Sequence, residues 1–138
     1  MSSNFFPKYS NSIKNSGFKI KKSLGQNYIF DTNLTNKIVK YSLPLSQTII
    51  EVGPGPGTLT KSILESGTSS LFAIEKDKDC IDLLNPLKKL FNNQLTIINA
   101  DALDFPLWDL GTYPRQIIAN LPYNISTKIL INLLKNIK

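Results

Sequence analysis

The sequence predicts an α/β domain built on a parallel sheet, and three observations carry that prediction. Short aliphatic runs alternate with stretches of helical period through four units. The first run leads at once into Gly53-Pro54-Gly55-Pro56-Gly57, a glycine-rich turn between a strand and its helix. Three of the runs end in or beside a carboxylate, at Glu51, Glu75 and Asp101. Strand ends are where α/β proteins place their sites.

Each element has its own local reason. Leu34, Ile38 and Tyr41 share one helical face, with Asp31 or Thr32 as the N-cap. Thr48-Ile49-Ile50-Glu51-Val52 reads as a buried strand, and Thr58 to Glu65 as a helix stopped by Gly67. Leu71-Phe72-Ala73-Ile74 is the second strand, ending in Glu75. Asp77 to Leu84 reads as helix, and Pro86 is expected to disturb or kink the residues after it. Leu95-Thr96-Ile97-Ile98 is the third strand, ending near Asp101, and Gln116 to Ala119 the fourth. Ile125 to Ile137 is expected to be an amphipathic helix with Ile129, Leu130, Leu133, Leu134 and Ile137 on one face. Such an order implies right-handed crossovers. No internal repeat appears. The chain stops straight after this last helix, early for such a sheet, so it reads as the N-terminal piece of something longer, truncated after the fourth strand and its helix.

Composition narrows the class. A length of 138 residues suits one domain with a real core, and 41% hydrophobic with 19% charged residues argues for a folded, soluble chain. The lone cysteine, Cys80, excludes an internal disulfide, and without histidine there is no Cys/His set for zinc; no metal is expected. No apolar run approaches the ~20 residues that span a bilayer, so no membrane is expected and a reducing, cytoplasmic setting is. The charge is uneven. Residues 1–22 hold five lysines and no acid, whereas the rest holds eleven basic and ten acidic residues. Residues 1–21 are therefore read as a basic, flexible arm, and 22–138 as the folded domain. Such an arm can track phosphates or simply be a solvated tail; a transit peptide fits less well, because the arm has no arginine.

The glycine turn selects the ligand. A dinucleotide site holds pyrophosphate on backbone N–H groups at a helix N-terminus. Here Pro54 and Pro56 have no N–H, and the spacing is G-x-G-x-G, not G-x-G-x-x-G. Both features weigh against NAD and favour a ligand needing close backbone approach without anion binding. S-adenosylmethionine is such a ligand: a sulfonium, an amino acid end and an adenosine, with no phosphate. Glu51 would favour its cationic end, Glu75 would accept from the ribose hydroxyls, and Asp101 would accept from the adenine amine. Each carboxylate alone is as well read as an ordinary turn acid; the three together, after this turn, favour the cofactor.

The fourth strand then leads into Ala119-Asn120-Leu121-Pro122-Tyr123-Asn124-Ile125-Ser126, with no acid, base or strong nucleophile. An adenine amine is a poor nucleophile whose N6 presents donors only. The Asn120 side-chain oxygen and the Pro122 carbonyl can hold those two hydrogens, and Tyr123 can stack on the base for roughly 1–3 kcal/mol. Proline fixes its own φ and pushes Leu121 to an extended conformation. Nothing that titrates near neutrality is needed, because the proton leaves after the nitrogen becomes cationic. The bland alternative is a strand-ending turn with a packing tyrosine.

These residues resemble one family, the small-subunit ribosomal RNA adenine N6,N6-dimethyltransferases of the KsgA/RsmA type. The matching stretches are Lys22 to Asp31 (KSLGQNYIFD), Glu51-Val52-Gly53-Pro54-Gly55, Glu75, Asp101-Ala102 and Asn120 to Thr127 (NLPYNIST), in order and at the expected spacings. The resemblance implies a Rossmann-like class I methyltransferase sheet. It implies cofactor contacts at Gln26, Asn27, Ile29, Gly53, Gly55, Glu75, Asp101, Ala102 and Asn120, and handling of the target adenine by Asn120, Leu121, Pro122 and Tyr123. It implies a substrate of two adjacent adenosines in a 3′-terminal hairpin loop of small-subunit rRNA, met on the small ribosomal subunit or its precursor by a monomeric enzyme. Family members run to roughly twice this length and carry later strands, a further active-site loop and a C-terminal helical domain. The shorter chain is therefore expected to be inactive or nearly so alone. A dinucleotide-binding domain, a non-catalytic RNA-binding or transcription-factor relative, and an adenine N6-methyltransferase acting on large-subunit rRNA or DNA stay open as alternatives.

Overall fold

The computed structural model describes residues 28–137; the basic arm and the expected cofactor residues Gln26 and Asn27 lie outside them. Helix α1 spans Thr32–Ser42, followed by β1 (Thr48–Val52), α2 (Thr58–Glu65), β2 (Leu71–Glu75), α3 (Lys78–Leu90), β3 (Leu95–Asn99), β4 (Arg115–Ile117) and α4 (Tyr123–Lys135). A single 3₁₀ turn at Leu107–Asp109 interrupts the crossover from β3 to β4. The strands form one parallel sheet in the order β3-β2-β1-β4.

Period-two alternation builds a core on each face of this sheet. Ile49, Leu71, Ala73 and Leu95 point to one side, where Val39 of α1, Ile63 of α2 and Leu84 and Leu87 of α3 cover them. Ile50, Val52 and Ile74 point to the other, under Leu107 and Ile129 of α4. Local chemistry sets the helix ends. Asp31 Oδ1 accepts from the Asn33 N–H at 2.8 Å, and Asp77 Oδ1 from the Asp79 N–H at 3.0 Å, both as N-caps. Helix α2 stops where Gly67 turns to a φ of 88°.

Three expectations are corrected. Helix α3 does not end near Leu84 but runs on through Pro86 to Leu90. An interior proline costs about 3 kcal/mol, but Leu84 and Leu87 flanking it are fully buried, and each contributes about 1.5–3 kcal/mol. Burial wins. Strand β4 starts one residue early, at Arg115, and its ladder stops at Ile117, although the Ile118 N–H still reaches the Ile50 carbonyl at 3.0 Å. Helix α4 begins at Tyr123, two residues before the expected start, because Pro122 takes the N-cap position with an extended backbone. Its apolar face is also only partly covered. Ile129 is 2% exposed, whereas Leu130, Leu134 and Ile137 are 56%, 60% and 71% exposed. Among the described residues β4 is an edge strand with a neighbour on one side only.

Candidate functional site

The carboxyl ends of all four strands open into one crevice of about 210 Å³. Val52 and Gly53 enter it from β1, Glu75 from β2, and Asp101 and Ala102 from just beyond β3. Asn120 and Pro122 enter it from beyond β4. Residues far apart in the chain thus meet because parallel strands all end on the same side.

The glycine turn is internally satisfied. Its three N–H groups are all used: Gly53 donates to the Ile74 carbonyl at 2.9 Å, Gly55 to Glu75 Oε2 at 3.0 Å, and Gly57 to the Pro54 carbonyl at 3.1 Å. Pro54 and Pro56 have none to give. The turn therefore offers no donors to a phosphate, and the carboxylate beside it would repel one. A close backbone wall next to an acid suits a neutral or cationic ligand that presents hydroxyl groups. Phosphate-free S-adenosylmethionine fits this donor set, and a dinucleotide does not.

Each carboxylate has a defined state. Glu75 accepts from Gly55 with one oxygen and from the Asp77 N–H with the other at 2.9 Å, and the Lys76 backbone N–H adds a further hydrogen bond, so the carboxylate's acceptor sites are partly but not wholly used. Desolvation pushes its pKa up, against the pull of those backbone N–H groups. The Asn99 side chain ties the end of β3 to the end of β2 by donating to the Glu75 and Lys76 carbonyls. Asp101 accepts from the Leu103 N–H at 3.0 Å and pairs with Lys76 Nζ at 3.0 Å; both contacts hold its pKa down. It faces the crevice already carrying a cation.

Glu51 departs from the role expected for it. It is 1% exposed, takes a hydrogen bond from Thr60 Oγ1 at 2.6 Å, and is pushed up to about 8 by burial and then by nearby Glu75. At neutral pH it is mostly a neutral acid, not a standing negative pole. It lines a small side pocket with Ile29, Gly53 and Asn120, so a cation bound there would draw its proton off. The raised value couples folding to pH. The folded state keeps a proton that the unfolded chain releases near pH 4.3, so stability falls as pH rises from there to about 8, and levels off beyond. Glu51→Gln cannot ionise. Urea unfolding at about pH 6 and about pH 8.5 should show the fall in the parent flattened by more than about 1 kcal/mol in the variant. Equal slopes in both proteins would refute a neutral Glu51.

The adenine-handling group is split. Asn120 lines both the crevice and the side pocket, and Pro122 lines the crevice. Leu121 instead packs against the apolar cluster around Ile50 and Val52 and lines neither the crevice nor the side pocket. Tyr123 is 99% exposed at the first position of α4, outside the crevice lining. The ring stands beside the mouth and not within it, because the helix starts there and turns the side chain outward. Sequence reasoning missed Tyr28, Lys76, Asn124 and Ile125, which also line the crevice. Tyr28, Asn124 and Ile125 lie within stretches already singled out as motifs, whereas Lys76 gave no signal beyond lying beside Glu75.

This sheet, with its crevice at the strand ends, is the Rossmann-like fold of the methyltransferases. A dimethyladenosine transferase from Plasmodium falciparum superposes with a TM-score of 0.62 at 22% identity, covering 80% of this chain and 39% of that one. The 23S rRNA methyltransferase ErmE does so with a TM-score of 0.62 at 22% identity, covering 76% and 41%. Sequence is more specific. The family model for ribosomal RNA adenine dimethylases matches residues 17–138. Ribosomal RNA small subunit methyltransferase A of Nitrobacter winogradskyi is 46% identical over 121 residues, 86% of this chain and 42% of its own length. The protein of that name from Agrobacterium fabrum is 46% identical over 123 residues, 87% and 45%. The chain belongs to the ribosomal RNA adenine dimethylase family. It spans less than half the length of the curated relatives it matches.

Proposed function

We propose that this chain carries the cofactor crevice and acceptor motif of an S-adenosylmethionine-dependent enzyme that dimethylates N6 of two adjacent adenosines in a 3′-terminal hairpin loop of small-subunit rRNA. The observation that carries the cofactor reading is the glycine turn whose every N–H is already spent, set against Glu75. Gly53, Gly55, Glu75, Asp101 and Ala102 would hold the cofactor, with Ile29 at its side pocket. When bound, it supplies an electrophilic methyl group on a sulfonium.

This chain's own residues then act on the acceptor. The Asn120 side chain takes one N6 hydrogen and draws the amine toward a tetrahedral shape; the Pro122 carbonyl, expected to take the other, already accepts from the Ile125 and Ser126 N–H groups at 3.2 and 3.1 Å at the start of α4. Positioning and oriented dipoles lower the barrier, and the proton passes to water once the nitrogen is cationic. Unstacked loop adenines are bases that a protein can draw into such a pocket. Tyr123, exposed at the mouth, is available to stack on an entering base without moving the sheet. The partner is the small ribosomal subunit or its precursor, the enzyme is a monomer, and the setting is cytoplasmic with no metal. Residues 1–138 alone are expected to methylate particles weakly at best, in keeping with the uncovered face of α4.

Titration calorimetry with S-adenosylmethionine and NAD, side by side, tests the cofactor. We expect the first to bind and the second not to; preference for NAD would end the methyltransferase reading. Mapping of methylated products on small-subunit particles, large-subunit rRNA and DNA then separates the acceptors.

A further inference from the structure

The three N–H groups of the glycine turn have fixed partners, but what keeps Gly55 in place is a side chain from elsewhere. Glycine explores backbone space freely, and a residue before proline is biased toward extended conformations. Gly55 nevertheless sits at a φ of 56° just before Pro56. The Tyr28 ring lies directly on it: a Cβ added at Gly55 would collide with the ring's Cε1 and Cδ1 and come within 2.9 Å of Cζ. The same ring lines both the crevice and the side pocket, so it stands at their boundary. Its far end is tied down, with the hydroxyl sharing a 3.5 Å hydrogen bond with Cys80 Sγ in the first turn of α3. Burial, and after it Cys80, Glu75 and Asp77, raise the phenol's pKa, so that end stays a neutral hydroxyl.

We propose that Tyr28 is the positioning residue for the sugar end of the crevice. Its ring clamps Gly55, which keeps the Gly55 N–H on Glu75 Oε2 and turns the carboxylate's remaining lone pairs toward a ribose diol. Tyr28 acts through Glu75 and does not touch the reacting atoms. The assignment rests on the cofactor reading above for its ligand, but not for the clamp itself. The ring supplies the clamp, and the hydroxyl only anchors it.

The test uses the whole chain and two readouts. In the ligand-free protein, Tyr28→Ala should speed Gly55 amide exchange about tenfold or more, with the Gly67 amide as an unaffected control. In binding, the parent should prefer S-adenosylhomocysteine over its 2′-deoxy analogue by about tenfold or more, since a hydrogen bond to a carboxylate is lost. Tyr28→Ala should bring that ratio close to one, and Tyr28→Phe should restore both the ratio and the slow exchange. Gly55 exchange within about twofold of the parent in Tyr28→Ala would overturn the clamp. Equal losses for both ligands in Tyr28→Ala would overturn the sugar assignment and leave the ring a mere wall. A parent that binds neither ligand would instead refute the cofactor reading, while Gly55 exchange would still decide the clamp.

Discussion

Asn120→Ala is expected to lower methyl transfer by about 10²–10³-fold while cofactor affinity changes far less, because it removes an oriented dipole aimed at the reacting amine. Asn120 lies just past β4 at the junction of the crevice and the side pocket, and it is held there by the extended Leu121-Pro122 segment. The neighbouring Pro122 carbonyl is engaged by the Ile125 and Ser126 N–H groups of α4, so on the proposed reading the Asn120 amide is the acceptor that the substitution removes. On the proposed reading the cofactor would keep Gly53, Glu75 and Asp101. The measurement is radiolabelled methyl incorporation into small-subunit particles, with S-adenosylhomocysteine affinity measured in parallel. A suitable protein is a chimera in which the C-terminal part of the Agrobacterium fabrum relative comes after residue 138. An unchanged rate would remove Asn120 from its role, and a loss of affinity matching the loss of rate would make it a binding residue only.

Glu75→Ala should act on the other quantity. It removes the acceptor for a ribose diol, and charged hydrogen bonds contribute about 1.5–3 kcal/mol each, so affinity should fall by more than about 10²-fold. It also strips the Gly55 and Asp77 N–H groups of their partner, so the glycine turn and the start of α3 should loosen together. Glu75→Gln separates these effects. The amide keeps one oxygen for one of the two N–H groups and turns a donor toward the other, so it should recover part of the stability and little of the affinity. Calorimetry and urea unfolding of the parent and both variants check this. A Glu75→Gln protein that binds as the parent does would show that the charge is irrelevant to the ligand.

Much of the fold is legible in the sequence alone. Strands β1, β2 and β3 stood out because runs such as Thr48-Ile49-Ile50 are apolar on both faces, and the parallel order came from alternation with helices. The places of Gly53, Glu75 and Asp101 came with it, since Glu75 closes β2 and the other two lie just past the ends of β1 and β3. What misled was composition read without context. Pro86 looked like a break, but the burial of Leu84 and Leu87 outweighs its cost. The amphipathic helix carrying Leu130, Leu134 and Ile137 was legible, but periodicity reports only that residues share a face, not whether anything covers it. Glu51 looked like a charge because a glutamate ordinarily is one; its raised pKa comes from burial, which only the folded chain creates.

Local sequence settled where β1 and β2 end and roughly where β3 does, and therefore that those ends face one crevice, because parallel strands put all their carboxyl ends on one side; the end of β4 it misplaced. It also determined that the turn after β1 lacks the donors a phosphate needs, since proline has no N–H. Only the tertiary structure decided that Gly55 and Glu75 are bonded, that Tyr28 sits on that glycine, that Leu121 turns into the core and that Tyr123 stands outside it. Those facts depend on packing between segments distant in the chain, where burial and contact set the conformation and local preference has no vote.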